Sequence, residues 1–241
     1  IYCELGRVRN PLRVPNPLKA TPIIILLTLP FQSITQSIQL IILPSSVCSK
    51  LYIWHMPINS KYQAKYSHGN FYHVFNRASG KQLLFKEVQN YYYFLNRFHY
   101  HLSDYVTLHV WCLIPNHFHF LIQIKEEEDM RPIHKNADLH KIITNKFKNF
   151  FLSYSMSFKL MFEQSSNVFS QKYKHVRLYK EDDLRQVLMY IHRNPKHHNI
   201  GDWQNFRWSS YKEILHANSK NENACFIINL FSGKAEYVKA H

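Results

Sequence analysis

Two histidines one residue apart, His117 and His119, lie in the segment Val106–Ile124, which reads VTLHVWCLIPNHFHFLIQI. On a β-strand alternate side chains share a face, so both imidazoles project the same way. Phe118, Phe120, Ile122 and Ile124 fill the opposite face, which by composition belongs to a core. Two imidazoles side by side on a strand supply half of a metal site. The chain holds 16 histidines, so such a pair also arises with no ligand role. Its surroundings must decide.

Those surroundings form an ordered series of elements. Asn70–Arg77 (NFYHVFNR) reads as a strand that Ala78-Ser79-Gly80 ends. Phe85, Val88, Tyr92, Leu95, Phe98 and Leu102 recur at helical spacing, which predicts an amphipathic helix over 85–102. Val106–Ile114 and His117–Ile124 then make a hairpin. Directly opposed residues share a face. The apolar sets Val106/Leu108/Val110/Cys112/Ile114 and Phe118/Phe120/Ile122/Ile124 therefore meet one core only across an odd-length connection. That parity predicts three or five loop residues, or a bulge, in place of a two-residue turn. Otherwise Trp111 and His109 would face the core.

Glu126, Glu127, Glu128 and Asp129 form an acidic run that reads as a solvated loop. A second helix is expected from about Asp138, with Leu139, Ile143, Phe147, Phe150, Phe151, Tyr154 and Phe158 along one stripe. After a loop at Ser165–Ser170, Lys172–Lys180 (KYKHVRLYK) is basic and strand-like. Asp182 and Asp183 open a third helix, where acids suit the positive end of the dipole. That helix runs through Leu184, Val187, Leu188 and Ile191 to Pro195. The order is β-α-β-β-α-β-α. Its first six elements match the α+β, ferredoxin-like split βαβ sandwich, an antiparallel sheet with helices on one face. The third helix and a tail are additions.

The third helix carries Tyr190-Ile191-His192-Arg193-Asn194-Pro195. Positions i and i+4 share a helical face, so Tyr190 and Asn194 project together. On the residues alone, Tyr190 reads first as a tyrosine that packs its ring while its hydroxyl meets water. His192 and Asn194 read as polar residues closing a helix before proline. Tyr154, the nearest competitor among 16 tyrosines, lies on an apolar stripe.

Composition narrows the classes. Lys+Arg number 30 against 16 Asp+Glu, a net charge of +14, which favours a polyanionic partner with nucleic acid first. Cys3, Cys48, Cys112 and Cys225 form no C-x-x-C pair, which argues against a thiolate zinc site or disulfide framework and fits a reducing cytoplasm. Neither a phosphate-binding loop nor a dinucleotide fingerprint is present. Residues 1–55 differ in character. They begin with Ile, precede the first Met (Met56), and carry two short apolar runs below the roughly 18–20 residues of a membrane span. They read as an extension from upstream translation, with a catalytic domain over 56–200 and a C-terminal extension over 201–241 packing on it.

The run Pro115-Asn116-His117-Phe118-His119-Phe120-Leu121-Ile122 after an apolar strand resembles the IS200-like (Y1) transposases, including the REP-associated tyrosine transposases of the HUH endonuclease superfamily. The resemblance extends from Tyr66 to the C-terminus and includes the Trp208-Ser209-Ser210-Tyr211 region. It implies a divalent metal, Mg²⁺ or Mn²⁺, held by His117, His119 and Asn194, with Tyr190 as nucleophile. Many relatives have Gln where Asn194 stands, one methylene longer. The implied activity is single-stranded DNA cleavage and rejoining through a 5′-phosphotyrosine. The implied partner is single-stranded or hairpin DNA, with no membrane, and the protein acts as a monomer or homodimer. Lys172, Lys174, Arg177, Lys180, Arg185, Arg193 and Lys196 surround the fourth strand and the catalytic helix and could follow a DNA backbone. Trp208 could stack an unpaired base. A catalytically silent nucleic-acid-binding protein of this fold, and a metal-dependent hydrolase that uses water, are the competing readings.

Overall fold

The computed structural model describes residues 64–130 and 137–241. The expected extension over residues 1–55 lies outside them. Four strands, β1 (Phe71–Arg77), β2 (Val106–Ile114), β3 (His117–Ile124) and β4 (Lys174–Leu178), form one sheet in the order β2-β3-β1-β4. Every neighbouring pair is antiparallel. Helix α1 (Val88–Leu102) connects β1 to β2, and α2 (Leu139–Met161) connects β3 to β4. Each connection crosses over one intervening strand, which is the split βαβ arrangement. A single 3₁₀ turn, Glu127–Asp129, holds the exposed acidic run. Among the described residues no helix is long and apolar enough to cross a membrane.

Helices α1 and α2 lie on one face of the sheet. There Tyr91, Phe94, Phe98 and Leu102 meet Ile143, Phe147, Phe150, Tyr154 and Phe158 over Tyr72, Val74, Phe118 and Phe120. The buried stripe of α1 differs from the expected one. Val88 and Tyr92 are exposed, and Tyr91 and Phe94 point inward. The helix starts at Val88 because Asn90 Oδ1 accepts hydrogen bonds from the Lys86 and Glu87 amides, at 3.0 and 2.9 Å, and satisfies the open N-terminus.

The hairpin contains the bulge that parity allowed, but joins its strands by the two-residue turn that parity disfavoured. Ile114 pairs with His117, so the connection is the two residues Pro115-Asn116, and a register shift between Leu108 and Val110 makes His109 a bulge. Beyond the bulge the strand reverses its faces. Trp111 and Leu113 join the helix-side core, while Val110, Cys112 and Ile114 turn to the face that carries His117 and His119. The expectation presumed one core. The sheet has two, so both parities of β2 are apolar.

The second core forms under α3 (Glu181–His192) and the tail helices α5 (Tyr211–His216), α6 (Glu222–Asn229) and α7 (Lys234–Ala240). Leu184, Leu188 and Ile191 pack with Val110, Cys112, Ile114 and Leu121, and with Ile214, Ile227 and Tyr237 of the tail. Burying these three α3 side chains stabilises its seat by about 5–8 kcal/mol at most. α3 stops one turn early. Pro195 lacks an N–H and its ring opposes the carbonyl four residues back, so the chain turns at Arg193 and resumes as a one-turn helix α4 (Asn194–His197).

The Trp208–Tyr211 segment lies along β2, the edge of the sheet. The Leu113 amide donates to the Trp208 carbonyl at 2.8 Å, the Ser210 amide to the Trp111 carbonyl at 3.0 Å, and the Trp111 amide to Ser210 Oγ at 3.0 Å. An otherwise open edge is thereby paired. Trp208 stacks on Tyr91 with ring centroids 4.3 Å apart and has the Arg207 guanidinium 5.0 Å from its ring. It is half-buried and part of the protein's own packing, where the sequence suggests an exposed ring. Ser210 Oγ also lies 3.0 Å from Nε2 of the fully buried His192. Ser210→Ala therefore strands two buried groups and is expected to cost about 2–4 kcal/mol, read as a lowered urea midpoint. An unchanged midpoint would mean water replaces the hydroxyl.

Candidate functional site

The turn that precedes His117 is held by neighbouring backbone. The Leu84 and Phe85 amides donate to the Pro115 carbonyl at 2.7 and 3.0 Å, and the Ala78 amide donates to the Asn116 carbonyl at 2.8 Å. These bonds fix the start of β3, and with it the direction of the two imidazoles. His117 and His119 are both buried, their rings 5.2 Å apart and perpendicular. Above them α3 and α4 deliver two further groups. Tyr190 is half-buried and stands edge-on to the His119 ring at 5.4 Å. Asn194 is fully buried, its Oδ1 2.9 Å from His117 Nε2.

The turn at Arg193 therefore leaves Asn194 within reach of His117 despite its short side chain. All four groups come from one chain. Tyr154 lies elsewhere. It is buried in the helix-side core, donates to the Leu84 carbonyl, and burial raises its pKa well above the usual range.

Protonation follows from burial. His117 is pushed down to about 3, first by burial and then by His198, against a smaller upward pull from the Asn194 hydrogen bond and a further downward push from Arg77. Burial holds His119 well below the usual range, with smaller contributions from His73, His117 and His198. Burial alone lowers His73 to about 3. The imidazoles are thus neutral at physiological pH, the form in which a histidine offers a lone pair.

A neutral imidazole carries one N–H. His117 Nδ1 lies 2.8 Å from Asn116 Oδ1. With that N–H donated to Asn116, the Nε2 lone pair faces the Asn194 carbonyl oxygen. Asn194 Nδ2 has no hydrogen-bond partner among the described residues. Half a turn of the amide would let it donate to Nε2, so the pair has a proton-bridged form and an oxygen-facing form.

The oxygen-facing form suits a cation. Neighbouring ligands of an octahedral ion with bonds of about 2.1 Å stand about 3 Å apart, close to the 2.9 Å between Nε2 and Oδ1. The nitrogen-rich set leans toward Mn²⁺ over Mg²⁺. Among the described residues no group of three or more His, Cys, Asp or Glu side chains is arranged to hold a metal ion. Any site here depends on the amide as its third donor.

Four residues around the cluster escaped the sequence reading. His73 on β1 places Nε2 2.9 Å from His119 Nδ1. Strand alternation from Phe71 would have put it on the same face. His198 packs edge-on against the His117 ring at 4.4 Å, and His197 stacks with Tyr190 at 5.5 Å. Their adjacency just past Asn194 was the available signal. Arg77 is exposed and pairs across the sheet with His117.

The expected DNA-contacting cations divide. Lys172 and Lys196 are exposed, and Lys174 lies opposite Phe75 on β4. Arg177 donates to Asn70 Oδ1 at 2.7 Å and lies 4.9 Å from the Tyr179 ring. Arg185 is paired with Glu181 and with Asp182 at 2.7 Å, and also donates to the Leu230 carbonyl at 2.9 Å. Arg193 binds the Ala240 and His241 carbonyls at 3.0 and 2.9 Å. Arg185 and Arg193 thus tie α3 to the tail through the Leu230, Ala240 and His241 carbonyls.

His192 is likewise held by burial well below the usual range. Each buried histidine regains a pKa of about 6.5 on unfolding. Between about pH 6.5 and 3 the unfolded chain binds more protons, so stability is fully present above about 6.5 and falls as pH drops. The slope reaches about 1.4 kcal/mol per pH unit for each histidine. Urea unfolding at pH 7 and pH 5 should therefore differ by several kcal/mol. Equal midpoints would mean that these imidazoles titrate normally.

No protein-family model matches the chain, and no curated protein matches it in sequence. Among solved structures, that of a REP-associated tyrosine transposase bound to a REP hairpin has a TM-score of 0.49, covering 66% of this chain and 86% of that one at 14% identity. The likeness is one of backbone course, at an identity too low to carry residue roles across.

Proposed function

We propose that the protein cleaves and rejoins single-stranded DNA through a 5′-phosphotyrosine, with Tyr190 as nucleophile and a divalent ion held by His117, His119 and Asn194. The observation that carries this reading is the convergence of four groups from elements more than seventy residues apart in sequence, with Asn194 Oδ1 2.9 Å from His117 Nε2 and the Tyr190 ring 5.4 Å from His119. A buried structural cluster has no need of a half-exposed tyrosine set against neutral imidazoles. The net charge of +14 supports a polyanionic substrate.

The chain's own groups have distinct tasks. α3 and α4 hold Tyr190 and Asn194 on one rigid support, which lowers the entropic cost of aligning an attack. Tyr190 Oη attacks phosphorus, the bond to the 3′ oxygen breaks, and the phenolic proton is matched by one gained at that oxygen. A strand with a free 3′-hydroxyl and a 5′-phosphate on Tyr190 result. Attack by a 3′-hydroxyl reverses the step, so the phosphodiester is conserved and no nucleotide cofactor is required. When bound, the ion supplies Lewis-acid stabilisation of charge on the phosphate oxygens. Arg77, Lys172, Lys174 and Lys196 supply positive charge along the approach.

The test is incubation of the full chain with end-labelled single-stranded hairpin DNA and Mn²⁺, followed by denaturing electrophoresis. The expected product is a denaturation-resistant protein–DNA band that requires metal. Metal-dependent cleavage with no adduct would replace this reading with hydrolysis by water. Tight binding with neither product would leave a binding protein of the same fold.

A further inference from the structure

His73 is fully buried on the central strand β1, and its position in the proposed reaction is indirect. Its backbone partner on β3 is Leu121, two residues from His119 on the same face. The two rings lie 5.1 Å apart, with His73 Nε2 2.9 Å from His119 Nδ1. Phe75 flanks His73 at 4.8 Å and Tyr190 stands edge-on to it at 6.1 Å, so apolar ring surface encloses the pair. Two ring nitrogens 2.9 Å apart are at hydrogen-bond distance, so one proton lies between them.

That shared proton has two positions with opposite consequences. With the proton on His73 Nε2, His119 accepts at Nδ1 and carries its own hydrogen on Nε2, where it can ligate nothing. With the proton on His119 Nδ1, the Nε2 lone pair is available. We propose that His73 is a positioning residue that accepts the Nδ1–H of His119 and so fixes the tautomer presenting the Nε2 lone pair beside His117 and Asn194.

Asn116 does the same for His117 through its Oδ1, at 2.8 Å from Nδ1. The two strand histidines would thus be set in one tautomer by two different acceptors, one exposed and one buried. Fixing the partner nitrogen of a ligating histidine fixes both its tautomer and its ring orientation. In His73 the acceptor is an uncharged ring. Among the described residues, the ionisable groups acting on His117 and His119 include His73, His198 and Arg77. Two imidazoles and an amide are themselves uncharged donors, so a bound ion would keep its charge for the substrate phosphate.

The proposal rests on the metal role of His119, and its test separates the two. Long-range ¹H–¹⁵N correlation spectra of the imidazoles read the tautomer directly in metal-free protein. The expected result is a neutral Nδ1–H form for His119 in the wild-type chain, preserved in His73→Gln, whose side-chain oxygen can accept, and lost in His73→Leu. Calorimetric titration with Mn²⁺ should show binding weakened about 10–100-fold in His73→Leu and changed less than about threefold in His73→Gln. A wild-type spectrum with the proton of His119 on Nε2 overturns the proposal, whether or not His73→Leu folds. So does Mn²⁺ affinity unaltered in a folded His73→Leu. The Nδ1–H tautomer in a wild-type protein that binds no Mn²⁺ supports the role of His73 and counts against the metal.

Discussion

Tyr190→Phe is expected to abolish the covalent protein–DNA adduct and to lower strand cleavage at least about a thousandfold, in keeping with the loss of a nucleophile that acts as part of a unit. The change removes one hydroxyl and keeps the ring, so the contacts with His119 and His197 survive and the fold should be little altered. DNA binding should therefore persist at near wild-type strength, which separates loss of chemistry from loss of substrate. Tyr154→Phe is the matched control. It removes a buried hydrogen bond to the Leu84 carbonyl and should lower stability by about 1–3 kcal/mol while leaving adduct formation intact. Denaturing gels on both variants at equal folded concentration make the comparison. An adduct that survives Tyr190→Phe would move the nucleophile elsewhere.

The second large effect concerns the strand histidines. His117→Ala takes away one of two imidazoles and the group that faces Asn194 Oδ1, and should weaken Mn²⁺ binding at least about a hundredfold. Cleavage should fall with it, and added Mn²⁺ should restore part of the activity because Tyr190 and the DNA contacts remain. The three proposed donors are uncharged, so metal affinity in the wild-type chain should rise when DNA supplies phosphate charge, and DNA affinity should rise equally with metal. Calorimetry with each partner present and absent reads both directions. Activity indifferent to His117→Ala would remove the metal from the account.

Much of this architecture was legible because the periodicities were strong. The alternation in HFHFLIQI places His117 and His119 on one face, and four acids and aromatic stripes delimit the loops and helices around them. The order of the first six elements follows from those patterns and agrees with the α+β sheet observed. Three features were not legible, each for a physical reason. A bulge was among the expected devices, but its place at His109, beside a two-residue turn, was hidden because β2 is apolar on both faces. The tail's role at the sheet edge rests on backbone bonds from Trp208 and Ser210, which side-chain chemistry does not announce. The engagement of Arg185 and Arg193 with the tail was not legible because a cation near a basic segment looks free in sequence, whereas here both hold tail carbonyls.

In the site, spacing brought Tyr190 and Asn194 to one side of a helix, but it predicted a continuous helix. The observed turn at Arg193, enforced by Pro195, lets the shorter Asn194 side chain reach His117. His73 was within reach of the same alternation rule that found the pair on β3. A single histidine in an apolar strand, however, carries no chemistry until its neighbour across the sheet is known.

The most direct measurement is mass spectrometry of the trapped adduct. Wild-type full chain is incubated with hairpin DNA and Mn²⁺, the DNA is digested to a nucleotide stub, and the protein is cut with trypsin. The account predicts the added nucleotide mass on the peptide Gln186–Arg193, localised to Tyr190. The same mass on a peptide carrying Tyr154 or any other residue, or cleaved DNA with unmodified protein, would contradict it.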